Sequence, residues 1–290
     1  MKRALILFLL SAFLIASCTS NTANASSDSP AQYIENKGSD TIVNLALAWA
    51  ERYQAMHPDV RISVTGGGSG TGIAALINGT VDIANASRQI KEEEIAEAQS
   101  KDVNPMEHII ARDAIAVIVH PENPVSELTL QQISDIYSGK VTNWSEVGGE
   151  DRPIVKLSRE TNSGTHVYFL ETVLRLGEKE NKTLFSMDTL LLPSSEGIIA
   201  EVRQNPNAIG YDGLGYVPDD LKMIAIAEED GGAYVLPSIE TVNDKSYPIA
   251  RDLYMYTDGE PTGIVKEYLD WILSAEAQQI VAELGFVPVH

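Results

Sequence analysis

Cysteine is almost absent from this chain: Cys18 is the only one in 290 residues, so no disulfide can form within it. Positive charge is scarce as well, with 21 Lys and Arg against 41 Asp and Glu. A surface that acidic repels nucleic acid and anionic lipid heads, so nucleic acid is not an expected partner. It also repels an anionic ligand at long range, so any anion site must rest on local hydrogen-bond donors. A long apolar run is missing too. Ala4 to Ala16 spans 13 residues and is broken by Ser11, whereas a membrane span takes about 20. Histidines are few and scattered: His57, His108, His120, His166 and His290 show no short ligand spacing. Neither a metal nor a cofactor is expected. There is no internal repeat.

The short apolar stretch follows Lys2 and Arg3 and ends in Ile15-Ala16-Ser17-Cys18. A basic start, a brief apolar run and small residues before a cut site describe a secretory signal. The tetrad resembles the bacterial lipobox. That resemblance implies removal of residues 1–17 and a lipid on Cys18 at the new N-terminus. An ordinary signal peptide that happens to contain a cysteine is the plainer alternative. Residues 18–32 are mainly Ser, Thr, Asn and Ala without apolar periodicity, and read as a flexible tether. Without Lys2 and Arg3 the balance is 19 against 41, a formal charge of −22. The folded part should begin near Tyr33 and keep about 258 residues, enough for two lobes with real cores.

Beyond the tether, apolar β-rich runs alternate with helical patterns, which predicts an α/β fold with mostly parallel strands. Arg61 to Thr65 reads as a strand and Gly72 to Asn78 as a helix start. Ala114 to Val119 reads as a buried strand, and Ser163 to Leu176 and Thr262 to Leu284 as helices. The charged run Lys91 to Glu97 reads as a solvated helix face, and the tryptophans as core. Two extended apolar segments, Ala111 to Val119 and Tyr247 to Tyr256, could cross between lobes. Two crossings would make one lobe discontinuous, with residues 33–111 and 250–290 in it and 112–249 in the other. A single large α/β domain is the alternative.

The clearest local signal is Thr65-Gly66-Gly67-Gly68-Ser69-Gly70-Thr71-Gly72. It follows a strand and leads into a helix. Glycines let consecutive N–H groups turn toward one point, and the helix start adds unpaired N–H groups and a partial positive charge. That is the chemistry of an anion site. A Walker loop is excluded, because Ile73 and not Lys follows Gly72, and a serine-hydrolase elbow fails because Thr71 stands where it needs glycine. A second element is Ser158-Arg159-Glu160-Thr161-Asn162-Ser163-Gly164-Thr165. Ser163 or Thr165 could cap the helix that follows, and the Arg159 guanidinium could fork onto two oxygens or form a surface salt bridge. His166 reads as a helix-surface residue. A third is Lys37-Gly38-Ser39-Asp40-Thr41, where helix capping fully explains Ser39 or Asp40 taken singly. A fourth is Asn85-Ala86-Ser87-Arg88, just past a strand end, where open parallel sheets bind ligands.

In their order, GSDT, GGGSGTG, ASR, SRETNSGTH and NAIGY, with the Thr142-Asn143-Trp144 segment and the closing Leu284-Gly285-Phe286-Val287-Pro288, these motifs resemble the periplasmic phosphate-binding proteins of ABC phosphate importers. The likeness runs from about Tyr33 to His290. It implies a two-lobed periplasmic-binding-protein fold of type II, with two hinge crossings and the ligand in the cleft. Carried over by position, Ser39, Asp40, Thr41, Ser69, Gly70, Ser87 and Arg88 would face phosphate from one lobe. Arg159, Ser163, Gly164 and Thr165 would face it from the other. The resemblance further implies permease subunits as partners, a monomeric lipoprotein outside the cytoplasmic membrane, and no catalysis.

One departure bears on selectivity. Some members of that family carry an aspartate after the serine of the third motif, where it accepts the proton of hydrogen phosphate. Here Arg88 holds that position, and Asp40 is the candidate acceptor in its place. Without an acceptor, sulfate or another tetrahedral oxyanion becomes a competing ligand, and a phosphate-sensing surface lipoprotein a competing role.

Overall fold

The structure, a computed structural model, describes residues 31–289. Cys18, the predicted signal and all but the end of the tether lie outside the described residues. The first strand, β1 (Gln32–Gly38), begins one residue before the expected Tyr33. It is followed by α1 (Asp40–Met56), β2 (Val60–Thr65), α2 (Ser69–Ile77), β3 (Ile83–Ala86), α3 (Glu92–Ser100) and one long strand, β4 (Pro105–Val119). The middle of the chain forms β5 (Glu127–Thr129), α4 (Leu130–Ser138), β6 (Val155–Arg159), α5 (Gly164–Phe169), β7 (Leu190–Leu192), α6 (Ser195–Gln204) and β8 (Ala208–Gly213). Then come β9 (Lys222–Met223), β10 (Ala225–Ala227), α7 (Ile239–Asn243), the returning strand β11 (Ala250–Asp258), α8 (Gly263–Ile272) and α9 (Ala275–Glu283).

One sheet takes the order β2-β1-β3-β11-β4-β8-β6-β7, with β9 also on β4, while β5 pairs with β10. β1 lies parallel to β2 and β3, and β6 parallel to β7 and β8. The strands in the middle differ from the expected parallel pattern. β11 runs antiparallel to β3 and β4, and β4 antiparallel to β8. The reason is connectivity: β4 carries the chain out of the first half and β11 brings it back.

The hydrophobic core is divided along the same line. Ile34, Ile42, Trp49, Ile110, Ala111, Leu253 and Met255 pack in one cluster with α8 and α9. Ala114, Ile115, Val117, Tyr137, Trp144, Phe169, Tyr211 and Ile249 pack in another. β4 therefore changes core between Ala111 and Ala114, and β11 does so after Ile249. β11 also shifts register between Leu253 and Tyr254, a bulge that bends the strand beside the change of core. Trp49 is fully buried, and its Nε1–H donates to the Ala277 carbonyl at 2.9 Å, tying α1 to α9. Truncating such a side chain costs about 3–5 kcal/mol.

Three helical readings change for local reasons. α2 starts at Ser69, before Gly72, because Gly67 and Gly68 at φ 118° and 89° turn the chain into the helix. The helix over Thr262 to Leu284 is two helices, since the Ser274 hydroxyl caps a new one by accepting from the Ala277 N–H. The α5 helix ends at Phe169 and runs on as a π turn through Leu174. His166 is not on a surface. It is 7 % exposed, lies 3.0 Å from the Ser158 hydroxyl through Nδ1 and stacks on Phe185. Burial lowers its pKa.

Candidate functional site

β1 and β3 are neighbours, and each ends in a polar turn on the same edge. The connection from β2 through α2 to β3 passes over β1, so the first turns of α1 and α2 meet at that edge. This is where open α/β sheets bind ligands. Gly38 permits the meeting: at φ 147° it has no side chain to collide with the Asn85 carbonyl.

Five hydroxyls from separate motifs converge there, with the backbone of Gly164 against them. The Ser39 Oγ–H donates to Ser87 Oγ at 2.9 Å, and Ser69 Oγ lies 3.3 Å from Ser87 Oγ while accepting from the Ser87 N–H at 3.0 Å. Thr41 Oγ1 lies 2.8 Å from Thr165 Oγ1, joining α1 to α5 across 124 residues. Gly164 packs directly on the serines: a Cβ there would collide with Ser69 Oγ and stand 2.6 Å from Ser87 Oγ. Gly70 N–H donates to the Asn162 carbonyl at 3.1 Å, so the Gly-rich loop and the loop before α5 also touch. Ser163 caps α5, its Oγ accepting from the Thr165 N–H at 3.2 Å. The cluster is buried, with Ser69, Ser87 and Thr165 at 0 % exposure.

Arg159, Asp40 and Arg88 stand apart from the hydroxyls. Arg159 is not on the surface; it is 1 % exposed. Its Nη2 donates to Asp40 Oδ2 at 2.7 Å and to the Pro193 carbonyl at 2.9 Å, and its Nη1 to Ser195 Oγ at 2.8 Å. Asp212 Oδ2 lies 3.6 Å from the same Nη1, and Ser195 Oγ donates to Asp212 Oδ1 at 3.0 Å. Asp40 places its other oxygen on the Gly67 N–H at 3.0 Å. It is the first residue of α1, after the N-cap Ser39, and its carboxylate oxygens accept from Gly67 and Arg159 rather than from a backbone N–H of its own helix. Arg88 forks onto Glu94 at 2.8 and 2.6 Å. Burial pushes the Glu94 carboxyl up, and Arg88 with the Lys91 N–H outweighs it, leaving the carboxyl below its usual range.

The cation that does reach the hydroxyls is Arg251, which the motifs do not contain. Its Nη2 donates to Thr165 Oγ1 at 2.9 Å and approaches Thr41 Oγ1 at 3.4 Å, and its Nη1 donates to the Ser87 carbonyl at 2.8 Å. Asp113 Oδ2 lies 2.9 Å from Nη2. Burial pushes the Asp113 carboxyl up to about 6 against the pull of Arg251, and Asp212 adds to the rise. A signal for both residues was present: each is a charge inside an extended segment otherwise read as apolar. Arg251 also lines a cavity of about 740 Å³ between the β3–α3 loop and α5, with Arg88, Tyr168 and Tyr254 among its walls. The donor set suits a small oxyanion. Among the described residues no cluster of His, Cys, Asp and Glu could hold a metal ion.

Residues 23–276 match the PBP superfamily domain. The chain is 32 % identical to the phosphate-binding protein PstS of Pseudomonas aeruginosa over 88 % of its own length and 83 % of that protein's. It is 33 % identical to the phosphate-binding protein PstS of Bacillus subtilis, over 99 % and 94 % of the two chains. A Vibrio cholerae structure described as an ABC-type phosphate transport receptor superposes with a TM-score of 0.70 at 29 % identity, covering 88 % of this chain and 99 % of that one. The fold and the buried donor cluster between two cores are those of a solute-binding protein. The chain belongs to the PBP superfamily and, within it, to the family of the phosphate-binding proteins PstS.

Proposed function

We propose that this chain captures inorganic phosphate outside the cytoplasmic membrane and hands it to the permease of an ABC importer. The observation that carries this reading is the meeting of Ser39, Thr41, Ser69 and Ser87 with Gly164 and Thr165. These residues come from opposite sides of the division between the two cores and are out of water. Hydroxyls, helix-start N–H groups and one guanidinium bind a tetrahedral oxyanion without help from the chain's overall charge. Its relatives agree, since they are named as phosphate-binding proteins and a phosphate transport receptor.

The direct hydroxyl-to-hydroxyl contacts imply that phosphate is admitted by separation of the two halves. We take residues 33–111 with 250–290 as one lobe and 112–249 as the other, hinged where β4 and β11 change core. On this reading Ser39, Asp40, Thr41, Ser69, Gly70, Ser87 and Arg88 belong to the first lobe and Arg159, Ser163, Gly164 and Thr165 to the second. Arg159 and Asp40 then act as a link between lobes as well as donors or acceptors near the ligand. The protein works as a monomer, held at the membrane by lipid on Cys18, and performs no catalysis.

Calorimetry with phosphate and with sulfate tests the reading. Phosphate is expected to bind and sulfate to bind far more weakly. Binding of sulfate alone would reassign the ligand, and hydrolysis of phosphate esters by the purified protein would reassign the class.

A further inference from the structure

Asp113 and Arg251 are cross-strand partners on β4 and β11, at the point where both strands pass from one core to the other. They are 1 % and 7 % exposed. Arg251 holds Asp113 Oδ2 through Nη2 at 2.9 Å and through Nε at 3.3 Å. Asp113 Oδ1 has no hydrogen-bond partner among the described residues, although the Leu214 N–H is near enough to the carboxyl to pull its pKa down. The guanidinium is therefore shared. On one side stands a buried carboxylate with a free oxygen; on the other stand Thr41 and Thr165, one from each half of the molecule.

The surroundings sharpen this arrangement. Asp212 on β8 adds negative charge near Asp113, partly offset by Arg159 on β6, whose Nη1 lies 3.6 Å from it. Tyr168 on α5 sits under the Arg251 guanidinium at 5.5 Å, and Tyr247 precedes β11; both phenols are raised by burial and stay neutral. Asp252 follows on β11 and lines the adjoining cavity. Arg88 and Arg159 engage Glu94, Asp40, Ser195 and Pro193 through their terminal nitrogens, while the Nε of each is buried without a partner among the described residues. An anion bound against Thr41 and Thr165 thus competes with Asp113 for one guanidinium. A second negative charge nearby raises the proton affinity of a buried carboxylate. By linkage, the proton in turn raises the affinity for the anion.

We propose that Asp113, acting through Arg251, couples anion binding to the uptake of a proton, so that affinity is set at the hinge strands as well as by the donor loops. Asp113 is a positioning residue in this scheme, and the proposal rests on the phosphate reading of the hydroxyl cluster. The high carboxyl pKa, about 6 before any anion is added, is consistent with it.

The test is titration calorimetry of the protein with inorganic phosphate near pH 6.5, in buffers of different ionisation enthalpy, which counts protons taken up per phosphate. Wild type is expected to take up roughly half a proton more than Asp113→Asn, which isolates Asp113 from phosphate's own titration. At about pH 8 the variant should bind phosphate about tenfold more tightly, the equivalent of one pKa unit, where a merely structural role would weaken binding. Equal proton counts, or weaker binding by the variant at both pH values, overturns the proposal while leaving phosphate capture standing. Absence of phosphate binding by wild type overturns the parent reading itself. If Asp113→Asn does not fold, carbon-detected NMR titration of the Asp113 carboxyl in wild type replaces it. Phosphate should then move the midpoint up by more than about one unit, and an unmoved midpoint overturns the proposal.

Discussion

Arg159 and Asp40, 119 residues apart, form an ion pair of 2.7 Å that joins the end of β6 to the first turn of α1. Each was read from the sequence as a phosphate contact, and together they tie one half of the molecule to the other. The guanidinium is nearly out of water while Asp40 keeps 19 % exposure, so removing either partner leaves the other poorly compensated.

Arg159→Ala is accordingly expected to weaken phosphate binding by about 2–4 kcal/mol, with Arg159→Lys recovering part of it because an ammonium cannot reproduce the fork. A double-mutant cycle with Asp40→Asn should show a coupling of about 1–3 kcal/mol. Calorimetry on the four proteins checks it, and strict additivity would mean that the pair is not part of the bound state.

Asp40→Asn carries a second expectation. If Asp40 also accepts from hydrogen phosphate, the amide should relax the preference for phosphate over sulfate more than it reduces phosphate binding. Competition between the two anions on wild type and variant measures this. An unmoved preference would leave Asp40 as a link between halves alone.

Gly164→Ala probes the approach of α5 to the serines. The added methyl would collide with Ser69 Oγ and stand 2.6 Å from Ser87 Oγ. Phosphate affinity should fall by about a hundredfold or more, and the thermal midpoint should fall as well, because overpacking a buried contact costs about 1–3 kcal/mol. Binding at the wild-type level would show that the two halves need not come this close.

Stability should depend on pH through Asp113. Its native carboxyl titrates at about 6 because burial outweighs Arg251, against about 4 in the unfolded chain. The native state thus binds the proton more readily. The stabilising contribution is complete below about pH 4 and lost as pH rises through about 6. Melting curves should show the margin of wild type over Asp113→Asn shrinking from about pH 4.5 to about pH 7.5. A margin that widens over this range would show that pairing with Arg251 prevails over burial.

Cys18→Ser tests the anchor. The variant should leave the membrane fraction or fail to mature, as expected where a sole cysteine closes a lipobox-like tetrad. Wild-type protein recovered fully soluble without detergent would exclude the lipid.

The local part of the site was legible because it is written in local chemistry. Gly67 and Gly68 need positive φ, Ser163 caps the helix it precedes, and the Ala114 to Val119 run is buried throughout. Such features depend on a few neighbouring residues and leave a mark in a short window. Where helices stop was less legible: the apolar period from Thr262 to Leu284 continues through the new cap at Ser274.

Pairing over distance was decided by tertiary structure alone. Nothing near Arg251 in sequence announces Asp113, Thr41 or Thr165; they meet because β4 and β11 run antiparallel with Arg251 opposite Asp113 and α5 docks on α1. Arg159 and Arg88 illustrate the same limit, since both were read as phosphate contacts and each has a carboxylate partner in the fold, Asp40 across the molecule for Arg159 and Glu94, six residues on in the first turn of α3, for Arg88. Thus the sequence by itself determined the class of fold, the donor-rich loops and the kind of ligand they suit, because backbone conformation and capping are short-range. Which charges face that ligand and which face each other was decided by the folded structure, because an ion pair depends on distance in space and burial.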